Sequence, residues 1–278
     1  MKISVIIAAY EKPEHLRKVL AGYDIQTDDF FEIVLAEDGM SPEVKEVADE
    51  FAAYSRVPIT HVRHEDKGFR KTVILNKAIE KTSGEYLIFT DDDCIPKENL
   101  VSVHRRFSCE GQYIVGAYNR LPESTSLLIT PEIVRNKKAF SLFWLMRNGY
   151  LPSRGFVRIV IPQWLAYLLD RRGELSYGRF PGGHSSCFKK DAVVIGGFNE
   201  NMAYGLEDRE FGTRLCNSNI KGKRVKNSTF MLHLYHDRPY QQMEEFAENQ
   251  KILNETVETG RKISAHLDKC ENIKHPAQ

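Results

Sequence analysis

The first hundred residues alternate between short apolar runs and amphipathic segments, and this alternation constrains the fold more than any other feature. The apolar runs contain many β-branched residues, as buried parallel strands do, and they occupy 2–9, 31–36, 59–62 and 86–90. Segments with apolar residues at helical spacing begin at Pro13 and cover 42–54 and 72–81. Successive strand–helix–strand units pack as right-handed crossovers. We therefore expect a doubly wound α/β fold, with a mostly parallel sheet flanked by helices.

The alternation stops between residues 119 and 178, where prolines, aromatic residues and amphipathic patches predict a helical and irregular insertion over the sheet edge. Order returns at 180–190, and the pattern then predicts a helix at 207–217, a strand at 228–235 and an amphipathic helix at 240–257. The chain of 278 residues is long enough for one α/β domain with insertions, which we expect at 1–260. We expect a first half at 1–118, the insertion at 119–178 and a second half at 179–240. A C-terminal helix at 241–260 and a polar, mobile tail at 261–278 should follow.

Composition limits the class of protein and the partners that it binds. The formal net charge of +1 gives no overall field for nucleic acid, and the chain has no recognisable nucleic-acid-binding module. The five cysteines are scattered and lack zinc-ligand spacing. No secretory signal stands at the start, and no run approaches the roughly 20 apolar residues that a membrane-spanning helix needs. These features predict a cytoplasmic protein with free thiols.

Polar clusters follow the predicted strands at the points where the strands end. Tyr10 follows the first strand, Glu37-Asp38-Gly39 closes the second, and Asp91-Asp92-Asp93 follows the fourth. In such sheets ligands bind beyond the C-terminal ends of the strands. Three adjacent carboxylates repel one another, and a Mg²⁺ or Mn²⁺ ion would remove that cost while bridging to a substrate phosphate. An exposed acidic loop without a metal is the alternative interpretation.

Three motifs in this order resemble glycosyltransferase family 2, of the inverting type with the Rossmann-like GT-A fold: Ile6–Tyr10, Glu37–Gly39 and Phe89–Cys94. The resemblance implies a nucleotide-sugar donor, with UDP as the expected nucleotide, held by the first half of the chain. The residues that it places around this donor are Ala8, Tyr10, Glu37, Asp38, Asp91 and Asp92. It also implies that Asp93 is a direct ligand of the divalent metal, Mn²⁺ or Mg²⁺.

A basic segment, Lys67–Lys71, precedes the helix that carries Asn76. Positive charge is slightly unfavourable at a helix N-terminus, so this segment indicates an anion nearby, and a helix N-terminus with Arg70 suits a diphosphate. A basic helix start without a ligand is the alternative. The family often has Arg-Asn where this chain has Leu75-Asn76, so the resemblance places Asn76 at the donor and leaves the diphosphate contact to Arg70 or Lys71.

The segments Gly196–Glu200 and Tyr204–Glu210 resemble an element that family 2 shares with the β-1,4-galactosyltransferase and polypeptide N-acetylgalactosaminyltransferase groups. Acidic residues at a helix start stabilise the helix dipole by about 0.3–1 kcal/mol, which would explain the acids but not the preceding glycines. The resemblance implies that Asp208 is the general base that takes the proton of the acceptor hydroxyl. It also implies that Glu207 binds the acceptor.

Histidines receive further roles from the resemblance. Related enzymes place a histidine after a late strand as a metal or diphosphate ligand, and His236 matches that place best, with His233 the weaker candidate. His184 falls where the family often lines the acceptor side. For His233 and His236 the alternative is a hydrogen-bonded packing histidine.

The stretch 120–180 contains ten basic and four acidic residues. Within it, Phe156–Leu169 is apolar and has arginines on both sides. These flanking residues are Arg154, Arg158, Arg171 and Arg172. The pattern is typical of a segment that binds anionic lipid headgroups, whereas a solvated basic face is the alternative. We expect peripheral membrane contact through 154–172, at the inner face of the membrane.

These features together predict an inverting, metal-dependent hexosyltransferase. It would move a hexose or N-acetylhexosamine from a UDP-sugar to a hydroxyl of a glycan or glycolipid acceptor, as in bacterial lipopolysaccharide-core or surface-polysaccharide synthesis. A nucleotidyltransferase on the same fold would need a glycine-rich loop after the first strand, where Ala8–Pro13 contains no glycine. A non-catalytic sugar- or lipid-binding protein on the same fold would not need intact Asp93 and Asp208.

Overall fold

A mostly parallel sheet forms the centre of the computed structural model, which describes residues 1–151, 154–173, 175–237 and 243–268. The described strands are β1 Ile3–Ala9, β2 Phe31–Glu37, β3 Ile59–Arg63, β4 Tyr86–Asp91, β5 Cys94–Pro96, β6 Gln112–Val115, β7 Tyr118–Arg120, β8 Leu175–Ser176, β9 Ser185–Phe188, β10 Lys221–Arg224 and β11 Met231–His233. The main sheet has the order β3-β2-β1-β4-β9-β6-β10-β8, and a second sheet has the order β5-β11-β7. In the main sheet β9 and β8 run antiparallel to their neighbours, while the other six strands share one direction.

Helices cover both faces of the main sheet and begin where the sequence provides start signals. The helices are α1 Pro13–Asp24, α2 Pro42–Tyr54, α3 Lys71–Lys81, α4 Leu100–Phe107, α5 Glu123–Leu128, α6 Pro131–Arg135, α7 Leu142–Arg147, α8 Val157–Val160, α9 Gln163–Arg171, α10 Lys189–Val194, α11 Glu207–Asn217 and α12 Met243–Thr259. The clearest start is that of α2, where Ser41 Oγ accepts a hydrogen bond from Val44 N at 3.2 Å. Pro42 then occupies the first turn, where its missing N–H costs nothing.

Strand β1 shows why the start of the chain is almost entirely apolar, with Ser4 the one polar residue of the strand. All seven of its residues are buried, because helices pack on both faces of the sheet. Ile3, Val5 and Ile7 point into one hydrophobic cluster, and Ile6 and Ala8 point into the other. The predicted α/β fold with a parallel first half is confirmed, and the first four strands and α2 lie within two residues of their predicted bounds.

Register brings the predicted polar clusters together. β1 pairs with β2 so that Ala9 lies beside Glu37, and it pairs with β4 so that Ala8 lies beside Asp91. The C-terminal ends of three neighbouring strands therefore meet at one edge, as the sequence predicted. The late strand is shorter than expected, since only Met231–His233 of the predicted 228–235 pairs with other strands.

The insertion consists of short helices that pack on the main core and does not form a separate lobe. Helix α6 packs against α1, and Val134 and Leu145 belong to the same hydrophobic cluster as β1. The insertion ends in β8, which forms the edge of the main sheet beside β10. No helix within the described ranges is long and apolar enough to cross a membrane. The cysteines at 94, 109, 187 and 216 are free thiols, and Cys270 lies outside the described residues.

The expectation of a mobile tail after residue 261 is wrong for its first part. Ser264 is fully buried, and its backbone N–H donates to Ile195 O at 3.0 Å. Leu267 packs over Gly196, close to the start of the Gly196–Glu200 motif. A polar composition did not reveal this contact, because the burial of Ser264 and the packing of Leu267 are enough to dock a short segment. Residues 269–278 lie outside the described part of the chain.

Candidate active site

A cleft of about 980 Å³ opens at the C-terminal ends of β1, β2 and β4. Its walls also include the start of α3, the segment that leads into α11, strand β7 and the residues at and after the end of β11. Among its lining residues are Ala8, Tyr10, Lys12, Asp38, Lys71, Asp91, Asp92, Tyr118, Arg120, Glu207, Asp208, His233 and His236. Residues that are more than a hundred positions apart thus share one concave site of the size that small-molecule ligands use.

Asp38 is held rigidly at the end of β2. Its Oδ1 lies 2.7 Å from His64 Nε2, and its Oδ2 accepts a hydrogen bond from Arg70 N at 2.7 Å. Lys77 Nζ lies 3.3 Å from the other imidazole nitrogen of His64. Both carboxylate oxygens of Asp38 are therefore oriented by protein groups.

Glu37, the neighbour of Asp38, does not line the cleft. Its Oε1 accepts from Ser41 N at 2.5 Å, and its Oε2 lies 2.7 Å from His61 Nε2. It borders a smaller pocket beside the start of α2 instead.

Asp91 and Lys71 form an ion pair inside the cleft, with Lys71 Nζ 2.7 Å from Asp91 Oδ1. Burial by itself lowers the pKa of the Lys71 ammonium. The carboxylates of Asp91, Asp208 and Glu207 outweigh that effect and raise its pKa well above the ordinary value. Lys71 is therefore a fixed positive charge between the strand end that carries Asp91 and the helix that carries Asp208.

Asp92 follows β4 and is hydrogen-bonded to the residues at the end of β1. Its backbone N–H donates to Ala8 O at 2.9 Å, and its Oδ2 accepts from Tyr10 N at 3.0 Å. Burial, followed by the adjacent Asp93 charge, raises the pKa of Asp92 to about 8. Its side chain thus fixes the position of Tyr10 at the cleft.

Asp93 lies among nitrogen donors and is almost completely buried. Its Oδ2 is 3.0 Å from His236 Nε2 and 3.4 Å from Lys12 Nζ, and its Oδ1 is 3.8 Å from His233 Nε2. The Cys94 thiol donates to Asp93 Oδ1 at 3.4 Å. Burial alone would raise the pKa of Asp93, but the hydrogen bond from His236 and the charges of His233 and Lys12 lower it below the ordinary value.

This group fits a divalent cation in the chemistry of its donors. Ligand atoms of Asp93, Cys94 and His233 lie within 4.8 Å of one another, and His236 is in direct contact with Asp93. A carboxylate with imidazole nitrogens suits a first-row ion such as Mn²⁺ better than Mg²⁺, which prefers oxygen ligands only. The imidazoles that now contact Asp93 are the groups that would turn their lone pairs to such an ion.

Asp208 is placed by the first turn of α11 and faces the cleft. Its Oδ2 accepts from Gly182 N at 2.9 Å, whereas its Oδ1 has no hydrogen-bond partner in the protein. Burial raises the pKa of Asp208 to about 7, against the opposing effect of Lys71. A carboxyl with a pKa near neutrality and one free oxygen has the properties of a general base.

The backbone around Asp208 explains why glycines surround this motif. A Cβ at Gly182 would lie 2.4 Å from Asp208 Oδ2, so a side chain there would displace the carboxylate. Gly205 and Leu206 both have positive φ, of 98° and 69°, which turns the chain sharply into α11. Burial also raises the pKa of Glu207, which lies beside Asp208 on the wall of the cleft.

The structure places Arg70 and Asn76 differently from the expectation. The backbone of Arg70 caps Asp38, but the side chain on the cleft wall belongs to Lys71. Asn76 points away from the cleft, because its amide donates to Phe198 O at 2.9 Å and accepts from Phe198 N at 2.7 Å. Asn76 therefore fastens the Gly197-Phe198 turn to α3 and does not contact a ligand in the cleft.

His184 is a packing histidine, and its side chain is not available to an acceptor. Its Nδ1 donates to Ala117 O at 2.7 Å, and its Nε2 lies 2.9 Å from His104 Nε2. Ser186 Oγ lies 2.7 Å from His104 Nδ1 and completes a buried chain of polar groups. Burial lowers the pKa of His184 to about 4, so the imidazole is neutral at pH 7.

Several residues of the site were not found from the sequence. Lys12 and His64 orient Asp93 and Asp38, yet neither stands in a motif. Arg214 pairs with Glu210 at 2.7 Å and donates to Ile195 O and Gly197 O, which ties the Gly196–Glu200 motif to α11. The spacing of four residues between Glu210 and Arg214 on a predicted helix was the one available signal.

Family models match most of the chain. Residues 4–151 match the model described as glycosyl transferase family 2, and residues 168–237 match the model described as N-terminal domain of galactosyltransferase. The uncharacterized glycosyltransferase YfnE of Bacillus subtilis is 24% identical over 96% of this chain and 73% of its own length. The glycosyltransferase AglE of Haloferax volcanii is 32% identical over 34% of this chain and 32% of its own length.

Solved structures share the fold at low sequence identity. The Mannosyltransferase PcManGT from Pyrobaculum calidifontis, in complex with GDP-Man and Mn²⁺, superimposes with a TM-score of 0.61 at 13% identity, over 94% of this chain and 69% of that one. TarS of S. aureus superimposes with a TM-score of 0.62 at 13% identity, over 97% of this chain and 42% of that one. TarS 1–349 in complex with UDP-GlcNAc gives a TM-score of 0.60 at 14% identity, over 91% of this chain and 65% of that one. The fold is therefore GT-A, and the chain belongs to glycosyl transferase family 2.

Proposed function

We propose that this glycosyltransferase is an inverting, metal-dependent enzyme that transfers a hexose or N-acetylhexosamine from a UDP-sugar to a hydroxyl of a glycan or glycolipid. The observation that carries the proposal is a pair of carboxyl groups in opposite environments. Asp93 lies buried behind Lys12, His233 and His236, which line the cleft, and Asp208 lines the cleft itself. Asp93 is surrounded by cationic and imidazole groups, whereas Asp208 is buried, has a pKa of about 7 and keeps one oxygen free. Lipopolysaccharide-core or surface-polysaccharide synthesis is the proposed setting.

The donor would bind along the ends of β1, β2 and β4. Asp38, oriented by His64 and by Arg70 N, would accept hydrogen bonds from the nucleoside, and Tyr10 would line the same part of the cleft. Lys71 rather than Arg70 would contact the donor diphosphate, because Lys71 lines the cleft and Arg70 does not. The Lys71 ammonium would stabilise negative charge on that diphosphate.

The proposed cation site consists of Asp93 and His236, with His233 as an additional ligand beside them. A bound Mn²⁺ or Mg²⁺ would supply Lewis-acid stabilisation of the leaving diphosphate. A known neighbour in fold contains Mn²⁺ with its nucleotide-sugar donor, which supports this proposal. Lys12 Nζ, 3.4 Å from Asp93, would add positive charge to the same region.

Asp208 would act as the general base from the other side of the sugar. Its free Oδ1 would take the acceptor hydroxyl proton while the acceptor oxygen attacks the anomeric carbon opposite to the nucleotide. Gly182 N donates to the other oxygen and so orients the carboxylate. Glu207 would hydrogen-bond the acceptor. A single displacement of this kind inverts the anomeric configuration.

A donor screen tests the proposal most directly. We expect UDP-sugars with Mn²⁺ to raise the midpoint of thermal unfolding, and we expect GDP- and dTDP-sugars to do so less. Incubation with the stabilising donor and an acceptor should then release UDP. Release of pyrophosphate instead would indicate a nucleotidyltransferase, and donor binding without UDP release from any acceptor tested would indicate a non-catalytic binding protein.

A further inference from the structure

Helix α9 presents an apolar face to solvent. Trp164 is 69% exposed and Leu168, one turn later, is 45% exposed. Arg171 and Arg172 follow at the end of the helix and are also exposed. Large apolar side chains in a continuous stripe that ends in arginines are uncommon on a solvent-facing helix, because each exposed side chain forgoes burial.

The opposite face of α9 is anchored, so the exposure of Trp164 is fixed by the fold. Asp170 accepts from Ser228 N at 2.6 Å and from Asn227 N at 3.0 Å, and Gln163 Nε2 donates to Ser228 O at 2.9 Å. Ala166, between these anchors, is buried. The helix is held at both ends on the loop before β11 and cannot roll its apolar stripe inward without breaking these hydrogen bonds.

Neighbouring helices of the insertion expose apolar side chains as well. Val157 and Val160 of α8 and Phe143 and Met146 of α7 are all about half exposed or more. We call the exposed stripe of Trp164 and Leu168 on α9 the apolar face. The exposed residues of α7 and of α8 are three positions apart within each helix, as residues on one side of a helix are.

Charge on this part of the chain is of one sign. Between residues 142 and 172 the only acidic residue is Asp170, which is buried and bonded to the loop before β11. Arg147, Arg171 and Arg172 are exposed. Arg158 is turned inward, where its guanidinium donates to Tyr118 O at 3.1 Å, so it does not flank the surface as the sequence had indicated.

We propose that the apolar face binds an anionic lipid bilayer, with Trp164 and Leu168 at the level of the headgroups and the exposed arginines on lipid phosphates. Trp and Arg on an amphipathic helix are typical of such interfacial contact. The exposed charges are all positive, and this complements an anionic lipid surface; a second copy of the chain would meet the same positive charges. The occupant is therefore the membrane surface.

Helix α8 connects the insertion to a strand that lines the cleft. Helix α8 contacts β7 through the hydrogen bond from Arg158 to Tyr118 O, and Tyr118 and Arg120 of β7 line the cleft. Binding to the membrane itself does not depend on the proposed transfer reaction.

Vesicle flotation tests the proposal with the full chain. We expect the protein to float with vesicles of phosphatidylcholine and phosphatidylglycerol at low salt, and to stay in solution with phosphatidylcholine alone. Trp164→Glu combined with Leu168→Glu should abolish flotation. Each of Arg171→Gln and Arg172→Gln should weaken binding about fivefold, because one basic residue near an anionic surface contributes about that factor.

The matched control is Val193→Glu combined with Val194→Glu on α10, where two exposed apolar residues carry the same substitutions outside the insertion. This control should float like the unaltered chain. Absence of flotation with anionic vesicles at low salt would overturn the proposal, as would unchanged flotation of the Trp164 and Leu168 double variant. So would sedimentation that shows a dimer which this double variant dissociates. Thermal stabilisation by donor and Mn²⁺, measured on the same samples, reports on the proposed function separately.

Discussion

The cleft has a strand wall, at the ends of β1, β2 and β4, and a helix wall, at the start of α11. An aspartate lies at each wall, and the two aspartates have opposite electrostatic environments. On the strand side Asp93 is buried behind Lys12, His233 and His236, which line the cleft, and these partners lower the pKa of its carboxyl. On the helix side burial dominates at Asp208, and its pKa rises to about 7. Two carboxyl groups whose environments separate their pKa values can take different roles in one reaction. The comparison assigns charge and metal binding to one wall and proton transfer to the other.

The largest effect is expected from the helix wall. Asp208→Asn keeps the shape and the hydrogen bond from Gly182 N but removes the basic oxygen, so kcat should fall about 10²–10⁴-fold. Stabilisation by the donor with Mn²⁺ should persist, because the strand wall is untouched. Steady-state assays of UDP release and thermal shifts would measure the two properties. Asp49→Asn, on the exposed side of α2, is the control and should leave both unchanged. Normal turnover by Asp208→Asn would remove Asp208 from the mechanism.

A substitution at the strand wall should instead weaken metal-dependent binding of the donor. Asp93→Asn should weaken the apparent Mn²⁺ affinity by at least about 10–100-fold, the range seen when even the groups that support a metal ligand are lost. The affinity would be obtained by titrating Mn²⁺ in the presence of a fixed concentration of donor. Addition of EDTA to the unaltered chain should reproduce the loss. Retention of metal-dependent donor binding by this variant would contradict the division between the walls.

A histidine pair outside the cleft sharpens the comparison. His184→Phe leaves His104 Nε2 without its partner in the core, so the free energy of unfolding should fall by about 1–3 kcal/mol. His236→Ala, at the strand wall, should change that free energy much less and reduce Mn²⁺-dependent donor binding instead. Chemical denaturation and the Mn²⁺ titration on both variants would test this. A His184→Phe variant that unfolds normally but loses acceptor affinity would restore His184 to the acceptor site.

The smallest effect is expected from Lys71, which interacts with Asp91 on the strand wall and Asp208 on the helix wall. Because Asp208 has a raised pKa of about 7, the unaltered enzyme should lose kcat as the pH falls below about 7 and Asp208 becomes protonated. Lys71 lowers the pKa of Asp208, so Lys71→Met should raise that pKa and shift the pH–kcat profile to higher pH. Lys81→Met, at the exposed end of the same helix, should not move the profile. An unchanged profile for Lys71→Met would show that Lys71 and Asp208 are not electrostatically coupled.

The sequence was most informative where local pattern and tertiary position agree. The parallel half follows from buried strands such as β1, and the positions of Asp38, Asp91 and Asp208 follow from strand ends and one helix start. The direction in which a side chain points could not be predicted from these local patterns. Arg70 and Lys71 are adjacent at a helix start. The sequence does not show that Arg70 N bonds to Asp38 while Lys71 faces the cleft.

Pairing between distant segments was equally inaccessible. His184 and His104 are separated by 80 residues, and no local pattern shows that β9 brings their imidazoles within 2.9 Å of each other. Asn76 was assigned to the donor from its place in a motif, yet it bonds a turn 122 residues away. In the insertion the apolar residues of α9 were recognised, but which of them are exposed depends on the anchor at Asp170.

A crystal structure with Mn²⁺ and the stabilising UDP-sugar tests the central claim most directly. Anomalous scattering would locate the cation, and the sugar's anomeric carbon would be seen relative to both walls. The account predicts the cation bound to Asp93 and at least one of His233 and His236, with the anomeric carbon between the cation and Asp208 Oδ1. A cation bound away from Asp93, or a sugar directed away from Asp208, would contradict it.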